Sequence, residues 1–375
     1  MRKRWIKAIG TGMLAAVLAI GPVQSNVKAE SVSNITVLES TNKLVNGKMK
    51  VSFDVQNGGS GTEAGFYVLG YSENGKVIEA VGDSSFMTSN EIGTFEVDLD
   101  SGSKIKKVEV KPAGEAGSKA VLLASGTRTE KSGIEVSAVV QNSTQGRKVG
   151  VMAVGYDASG KAVEVGSAQS YLGGGEVATY NLRLKAANLV KNVELTTFDS
   201  EVDGVKLLQT GSRLENGKFV VTGSVQNGNE GGQVGVVVVG KNAKGKVLEV
   251  NTTSGYLGSV EINDFVAEFD AGKAVASYKV IITGNSRAPK IIAEGFTRIN
   301  NKLSVTIGIK NGEKGQRITV KSTAYNSKGR RVGADTDFIY MVANETTTLQ
   351  LTYRNKNVAS VKLKYYDEAG REIRR

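Results

Sequence analysis

The sequence predicts an all-β chain of four tandem antiparallel β-sandwich domains, and three observations carry the prediction. The stretch Tyr156-Asp157-Ala158-Ser159-Gly160-Lys161 returns as Tyr71 to Lys76, Lys241 to Lys246 and Tyr325 to Arg330, with its glycines at 75, 160, 245 and 329. Steps of 85, 85 and 84 residues mark one unit written four times. The chain holds 46 glycines and only 3 prolines among many Val, Ile and Thr, the composition of strands joined by glycine turns. Val-x-Phe-x-Val at 51–55 and Val-x-Ile-x-Ile at 305–309 alternate with the period of two that marks a half-buried strand.

Taken in order, residues 1–29 read as a secretory signal peptide. Met1-Arg2-Lys3-Arg4 is basic and Val27-Lys28-Ala29 offers small residues for cleavage. The apolar centre between them, Ile9 to Ile20, is shorter than the ~20 residues of a membrane span. The four domains are then expected at 31–115, 116–200, 201–285 and 286–375. Each is expected to open with a strand ending in a basic residue, Lys43, Arg128, Arg213 or Arg298. A turn at Asn46-Gly47, Lys131-Ser132-Gly133, Asn216-Gly217 or Asn300-Asn301 leads into an alternating strand that stops at Asn57, Asn142, Asn227 or Asn311. An apolar run then enters the repeated hairpin, whose glycine supplies a positive-φ position that a Cβ disfavours.

Beyond the hairpin an aromatic and an apolar residue stand together at Phe86-Met87, Tyr171-Leu172, Tyr256-Leu257 and Tyr340-Met341. Five residues past each aromatic comes a glutamate, Glu91, Glu176, Glu261 or Glu345. Two further strands finish the copy, the last expected at Ile105 to Val110, Val190 to Leu195, Val275 to Val280 and Val358 to Leu363. Six or seven short strands per copy describe a two-sheet sandwich of immunoglobulin-like type. Ala186 to Leu189 makes at most a turn of helix, and linkers as short as 111–120 imply limited bending between copies.

The hairpin in its setting, Val-x-Ala-x-Gly-Tyr-Asp-x-x-Gly-Lys-x-Val at 151–163, resembles the bacterial FxLYD-type and related immunoglobulin-like modules. Those modules carry an aromatic-Asp hairpin, a Gly-Lys turn and a later Gly-Glu, which Gly175-Glu176 matches in the second copy. The Phe-x-Leu-Tyr-Asp string itself is absent, and the third copy has Lys241 at the aromatic position. The resemblance implies an accessory or cell-envelope binding module in preference to a catalyst.

The residue inventory points the same way. The chain has no histidine and no cysteine, which excludes disulfides, Ser-His and Cys-His nucleophile pairs and the common zinc sites. No cofactor is expected. A carboxylate pair or a Ser-Lys arrangement remains, and a hydrolase working through two carboxylates is the enzymatic alternative. The recurring glutamates are its candidates, but their presence in every copy favours the capping of a turn. Tyrosines 71, 156, 171, 256, 325 and 340 recur at fixed places, which favours a core or sheet-face role over a stacking platform.

Charge separates the copies. Net charge is −4, +2 and −1 over 31–115, 116–200 and 201–285, but +10 over 286–375, where 18 basic side chains meet 8 acidic ones. The expectation is a secreted, non-enzymatic repeat protein, extracellular or cell-wall associated, whose basic last domain binds an anionic cell-wall or matrix polymer. The binding candidates are Arg317, Lys321, Arg330, Arg331, Arg354, Lys356, Lys362, Lys364, Arg371, Arg374 and Arg375. Export makes nucleic acid an unexpected natural partner. The alternative is a self-assembling structural or matrix protein associating through the apolar strands of repeats 1–3. In those strands Tyr67, Met152 and Val237 occupy one equivalent site and Lys321 replaces them in the fourth. Burial of those strands on both faces is the preferred expectation.

Overall fold

The computed structural model describes residues 30–32, 34–199 and 203–374; the expected signal peptide and Arg375 lie outside the described residues. Among the described residues the fold is all-β, with eight small antiparallel sheets and two single-turn 3-10 helices at Gly102–Lys104 and Gly272–Ala274. It divides into two compact units. The first runs to Ala153 and resumes over Gly166–Asp199; the second consists of Val154–Val165 and the chain after Asp199.

The first repeat contributes β1 (Glu30–Val32), β2 (Ile35–Val45), β3 (Lys48–Asn57), β4 (Thr62–Tyr71), β5 (Val77–Met87), β6 (Ile92–Leu99) and β7 (Lys107–Pro112). They form two sheets, β1-β2-β3-β6 and β5-β4-β7. The second repeat supplies β8 (Val121–Glu130), β9 (Gly133–Gln141), β10 (Arg147–Tyr156), β11 (Ala162–Leu172), β12 (Val177–Leu184) and β13 (Asn192–Phe198), arranged as β12-β9-β8 and β11-β10-β13. The third supplies β14 (Lys206–Glu215), β15 (Lys218–Gln226), β16 (Gly232–Lys241), β17 (Val247–Leu257), β18 (Ile262–Phe269) and β19 (Ser277–Thr283). The fourth supplies β20 (Lys290–Ile299), β21 (Lys302–Lys310), β22 (Gln316–Tyr325), β23 (Arg331–Met341), β24 (Thr346–Tyr353) and β25 (Ser360–Tyr366). Their sheets are β14-β15-β18 and β17-β16-β19, then β20-β21-β24 and β23-β22-β25.

The cores of the first, third and last repeats lie between the two sheets of each, and smaller clusters join Leu69 and Ala80 to Val139 and Val177 in the first unit and Val237 and Val250 to Ile292 and Ala293 in the second. Val51, Phe53 and Val55 of β3 meet Phe66 and Val68 of β4 and Phe95 of β6. The three phenylalanine rings lie 4.5 to 5.9 Å apart, centroid to centroid. In the last repeat Val305, Ile307 and Ile309 meet Ile318, Val320 and Met341 in the same way.

The repeated hairpin is built as its residues require. Asp157 N–H donates to Lys161 O (2.9 Å) and Gly160 N–H to Asp157 O (3.1 Å), with Gly160 at φ +79°. The Ser159 hydroxyl and the Lys161 and Ser159 N–H groups hold the Asp157 carboxyl below the usual carboxylate range. Asn242 and Asn326 accept the same pair of N–H bonds in their copies.

The recurring asparagines are buried structural pins. Asn57 Nδ2 donates to Ser60 O, Met87 O and Thr88 O, and Asn142, Asn227 and Asn311 repeat the set at their own loops. The recurring glutamates cap the adjoining turn, as their repetition implies. Thr88, Gly173, Gly258 and Val342 each donate a backbone N–H to the glutamate three residues on, at 2.6 to 2.8 Å.

Three details correct or sharpen the sequence reading. The closing strands begin two residues later than expected, because Ile105, Val190, Val275 and Val358 are buried in the cores as the chain turns into them. The aromatics Phe86, Tyr171, Tyr256 and Tyr340 are exposed, and only their apolar neighbours are buried. Each aromatic covers a loop glycine, as Tyr171 does Gly146 and Tyr256 does Gly231. The hairpin turn also occurs a fifth time, at Asp367 to Arg371, with Gly370 at φ +75°. It folds the chain back so that Ile373 N–H donates to Tyr365 O and Ile373 enters the last core.

Candidate functional site

The four repeats share one fold but expose different faces. β9, β15 and β21 are buried on both faces along most of their length, whereas β3 is buried only at alternate residues. The complementary contrast holds for the second sheet: β10 and β16 are buried on both faces through their centres, and β22 alternates. One face of β3 in the first repeat and one face of β22 in the last are therefore open.

Covered faces share a repeated set of contacts. In the first unit, Ala80 N–H of β5 donates to Ser137 Oγ of β9 (2.8 Å), Gly82 N–H to Thr179 Oγ1 (2.7 Å) and Val177 N–H to Ser84 Oγ (3.0 Å). Gly126 lies so close to Glu79 that a Cβ there would stand 2.5 Å from the Glu79 backbone nitrogen. Buried Glu79 accepts the N–H groups of Asp100 and Ser101 and faces Arg128 Nη1 at 3.5 Å.

The second unit repeats the arrangement. Val250 N–H donates to Thr306 Oγ1 (2.8 Å), Thr348 Oγ1 to Thr252 Oγ1 (2.9 Å), and a Cβ on Gly295 would stand 2.6 Å from Glu249 Cα. Glu249 accepts from Asp270 and Ala271 N–H, and burial pushes its carboxyl above the usual range. In the same unit Val165 N–H donates to Thr222 Oγ1 (3.0 Å) and Glu164 faces Arg213 at 3.8 Å.

The sequence reading did not single out these residues. Their signal was available: a glutamate four places past the hairpin glycine in three copies, replaced by Gly333 in the fourth. A glycine likewise stands at 126, 211 and 295 in the first strands of three copies, with Thr41 in the first.

On the open face of the last repeat, register places Arg317, Lys321, Lys362 and Lys364 together. Lys321 of β22 stands opposite Lys364 of β25 and Thr336 of β23, and Thr323 stands opposite Lys362. The aromatics Tyr325, Phe338, Tyr340 and Tyr366 share that face. Arg317 lies over the Phe338 ring (5.7 Å), Lys321 over Tyr366 (5.1 Å) and Lys362 over Tyr325 (5.6 Å). Each cation rests on a ring while its charge stays at the surface.

The other predicted binding residues form two groups outside the face. Arg330 and Arg331 stand at the hairpin, and Arg354 and Lys356 in the loop whose Ala359 N–H donates to Tyr325 O, so these four gather at one end of the sheet. Arg371 and Arg374 lie beyond the other end, with Arg371 paired to Asp367 at 2.7 Å. Arg375 lies outside the described residues.

One further basic side chain is set apart. Lys310 is 2% exposed and donates from Nζ to Asn344 O, with no carboxylate in ion-pair reach among the described residues. Burial pulls its ammonium down from 10.5 to about 8. Among the described residues no group of three or more His, Cys, Asp or Glu could hold a metal ion. No helix among them is long and apolar enough to cross a membrane.

No family model matches the chain, so the likeness to FxLYD-type modules rests on the hairpin residues themselves. No curated protein matches either. Among solved structures the chain is similar to a tetra-tandem repeat in the extending region of a large adhesion protein, at 12% identity and a TM-score of 0.15, covering 88% of this chain and 95% of that one. It is similar to the BSP domain of a biofilm associated protein, at 10% identity and a TM-score of 0.14, covering 94% and 97%. A DUF4785 family protein from Legionella pneumophila is similar at 10% identity and a TM-score of 0.20, covering 94% and 96%.

Proposed function

We propose that the protein is a non-catalytic extracellular repeat protein that holds an anionic polymer on the open β23-β22-β25 face of its last repeat. One observation carries this reading: the sheet face that β10 and β16 bury is open at β22 and bears four cations. Alternate residues on a strand are about 6.8 Å apart and neighbouring strands about 4.8 Å, so Lys321, Lys362 and Lys364 lie within roughly one Debye length of one another at 0.1 M salt, with Arg317 about 14 Å along β22 from Lys321. A polyanion therefore meets them together, at about 1 kcal/mol for each basic side chain near an anionic surface. Exposed rings beside the cations add flat apolar area against which sugar rings can lie. The repeats at 31–115, 116–200 and 201–285 act as spacers that carry this face, and residues 1–29 direct export.

The reading is tested with the whole chain on beads coated with a phosphate-linked or uronic-acid polymer. Retention should fall steeply as salt rises and be lost in the variant Arg317→Ala/Lys321→Ala/Lys362→Ala/Lys364→Ala. Equal retention of that variant removes the proposal.

A further inference from the structure

We infer that the open face of the last repeat also seats a second copy of this chain, through the open β2-β3-β6 face of that copy's first repeat, in the register the covered faces already use. The inference rests on the reading that this face is a docking face, and it names a partner that a polymer would displace.

The register can be carried across residue by residue. In the second unit Val237 of β16 faces Gly308 of β21, where a Cβ would lie 3.3 Å from Val237 Cγ1. Lys321 stands at the position of Val237 in the last repeat, and Asp54 at the position of Gly308 in the first. A chain seated in that register brings Lys321 onto Asp54. Ser84 and Ser254 meet the backbone of Val177 and Thr346; Phe338 replaces those serines and Ile92 replaces their partners. Both are exposed, at 61% and 57%, and the register lays one on the other. The hydroxyl that receives Ala80, Val165 and Val250 N–H is retained as Ser52, ready for Ala334 N–H.

Charge agrees with the register. Glu39, Asp54, Glu96 and Asp98 share the open face of the first repeat with Lys43 and Lys50, and Lys50 is already engaged by Glu96 at 3.1 Å and Asp98 at 3.8 Å. That face is net negative and the last repeat's face carries four cations. Like charges at either end would forbid the contact; opposite ones steer it.

Thr41 makes the seat looser than the covered ones. It stands where Gly126, Gly211 and Gly295 allow backbone contact, and its Cβ would clash at the 2.5 Å found for Gly126. The sheets must separate by about 1 Å to reach ordinary contact, which predicts reversible association. The pairing of one end with the other is heterologous, so it extends into chains of molecules unless it closes.

Sedimentation velocity of the full chain at low salt tests this. The weight-average mass should rise with protein concentration and return to the monomer value at 0.5 M salt. Lys321→Glu and Asp54→Lys should each weaken association about tenfold, their combination in one chain should restore it, and Thr41→Gly should tighten it. A mass independent of concentration for both the natural chain and Thr41→Gly, or a combined variant no better than either single one, overturns the inference. Asp54→Lys retained on polymer beads separates the two readings. In the natural chain, retention without association leaves the polymer face standing and rejects the second copy, and association without retention does the reverse; Asp54→Lys should be retained as the natural chain is while its association weakens.

Discussion

β16 and β22 are the same strand in successive copies, yet one reads Gln-Val-Gly-Val-Val-Val-Val and the other Arg-Ile-Thr-Val-Lys-Ser-Thr. Their inward residues are equivalent and buried: Val234, Val236 and Val238 in one, Ile318, Val320 and Ser322 in the other. Their outward residues differ completely, Val237 at 0% exposure against exposed Lys321. A sandwich needs only one face of each sheet for its core. The second face is free to specify a neighbour: in β16 it is buried against the next repeat, and in β22 it is open.

The sharpest way to break this comparison is a side chain in a covered face. Gly126→Val should destabilise the chain by about 3 kcal/mol, since its Cβ would meet backbone at 2.5 Å with nothing flexible to yield. Thr41→Val, at the equivalent open site, should change stability by less than ~0.5 kcal/mol in the same denaturant titration. Equal losses would mean the two faces do not differ as described.

Asn227→Ala should cost about 2 kcal/mol, because three carbonyls lose the amide that serves them inside the loop. Asn311→Ala should match it, for this pin belongs to the fold and not to the contrast between faces.

Lys310→Gln comes next and runs in the opposite direction. Gln226 and Gln141 occupy the equivalent buried positions. With Lys310 at about 8 when folded and 10.5 when free, the unfolded chain holds the proton between those values and the folded chain does not. Stability should therefore rise with pH from about 8 to 10.5 in the natural chain. The glutamine variant should lack that rise and gain ~1–2 kcal/mol at neutral pH. A thermal melt series across pH reads both.

The smallest stability effect belongs to the open face itself. Lys362→Glu should leave the unfolding midpoint within ~0.5 kcal/mol while weakening retention on an anionic polymer.

Much of this was legible in the sequence. The hairpin glycines, the buried asparagines and the turn-capping glutamates recur at one interval, and local chemistry dictates what each does. Burial on both faces was legible in the unbroken run Val234 to Val239, and its loss in the alternation of Arg317, Thr319 and Lys321. The partner of each face was not, because it depends on which strands stack across repeats. Glu79, Gly126 and Ser137 are far apart in sequence and become one contact only when folded. Of the two roles the sequence left open for the tyrosines, core and sheet face, strand alternation selects the second for Tyr171 and Tyr256, turning them outward over loop glycines.

The most direct test of the account is a map of lysine reactivity toward acetylation on the intact chain, with and without an acidic polymer at low salt. Lys321, Lys362 and Lys364 should be protected together, and Lys218 and Lys48, whose ammonium groups are paired with carboxylates in other repeats, should be unchanged. Protection spread evenly over all repeats, or absent from those three lysines while the polymer is bound, would contradict it.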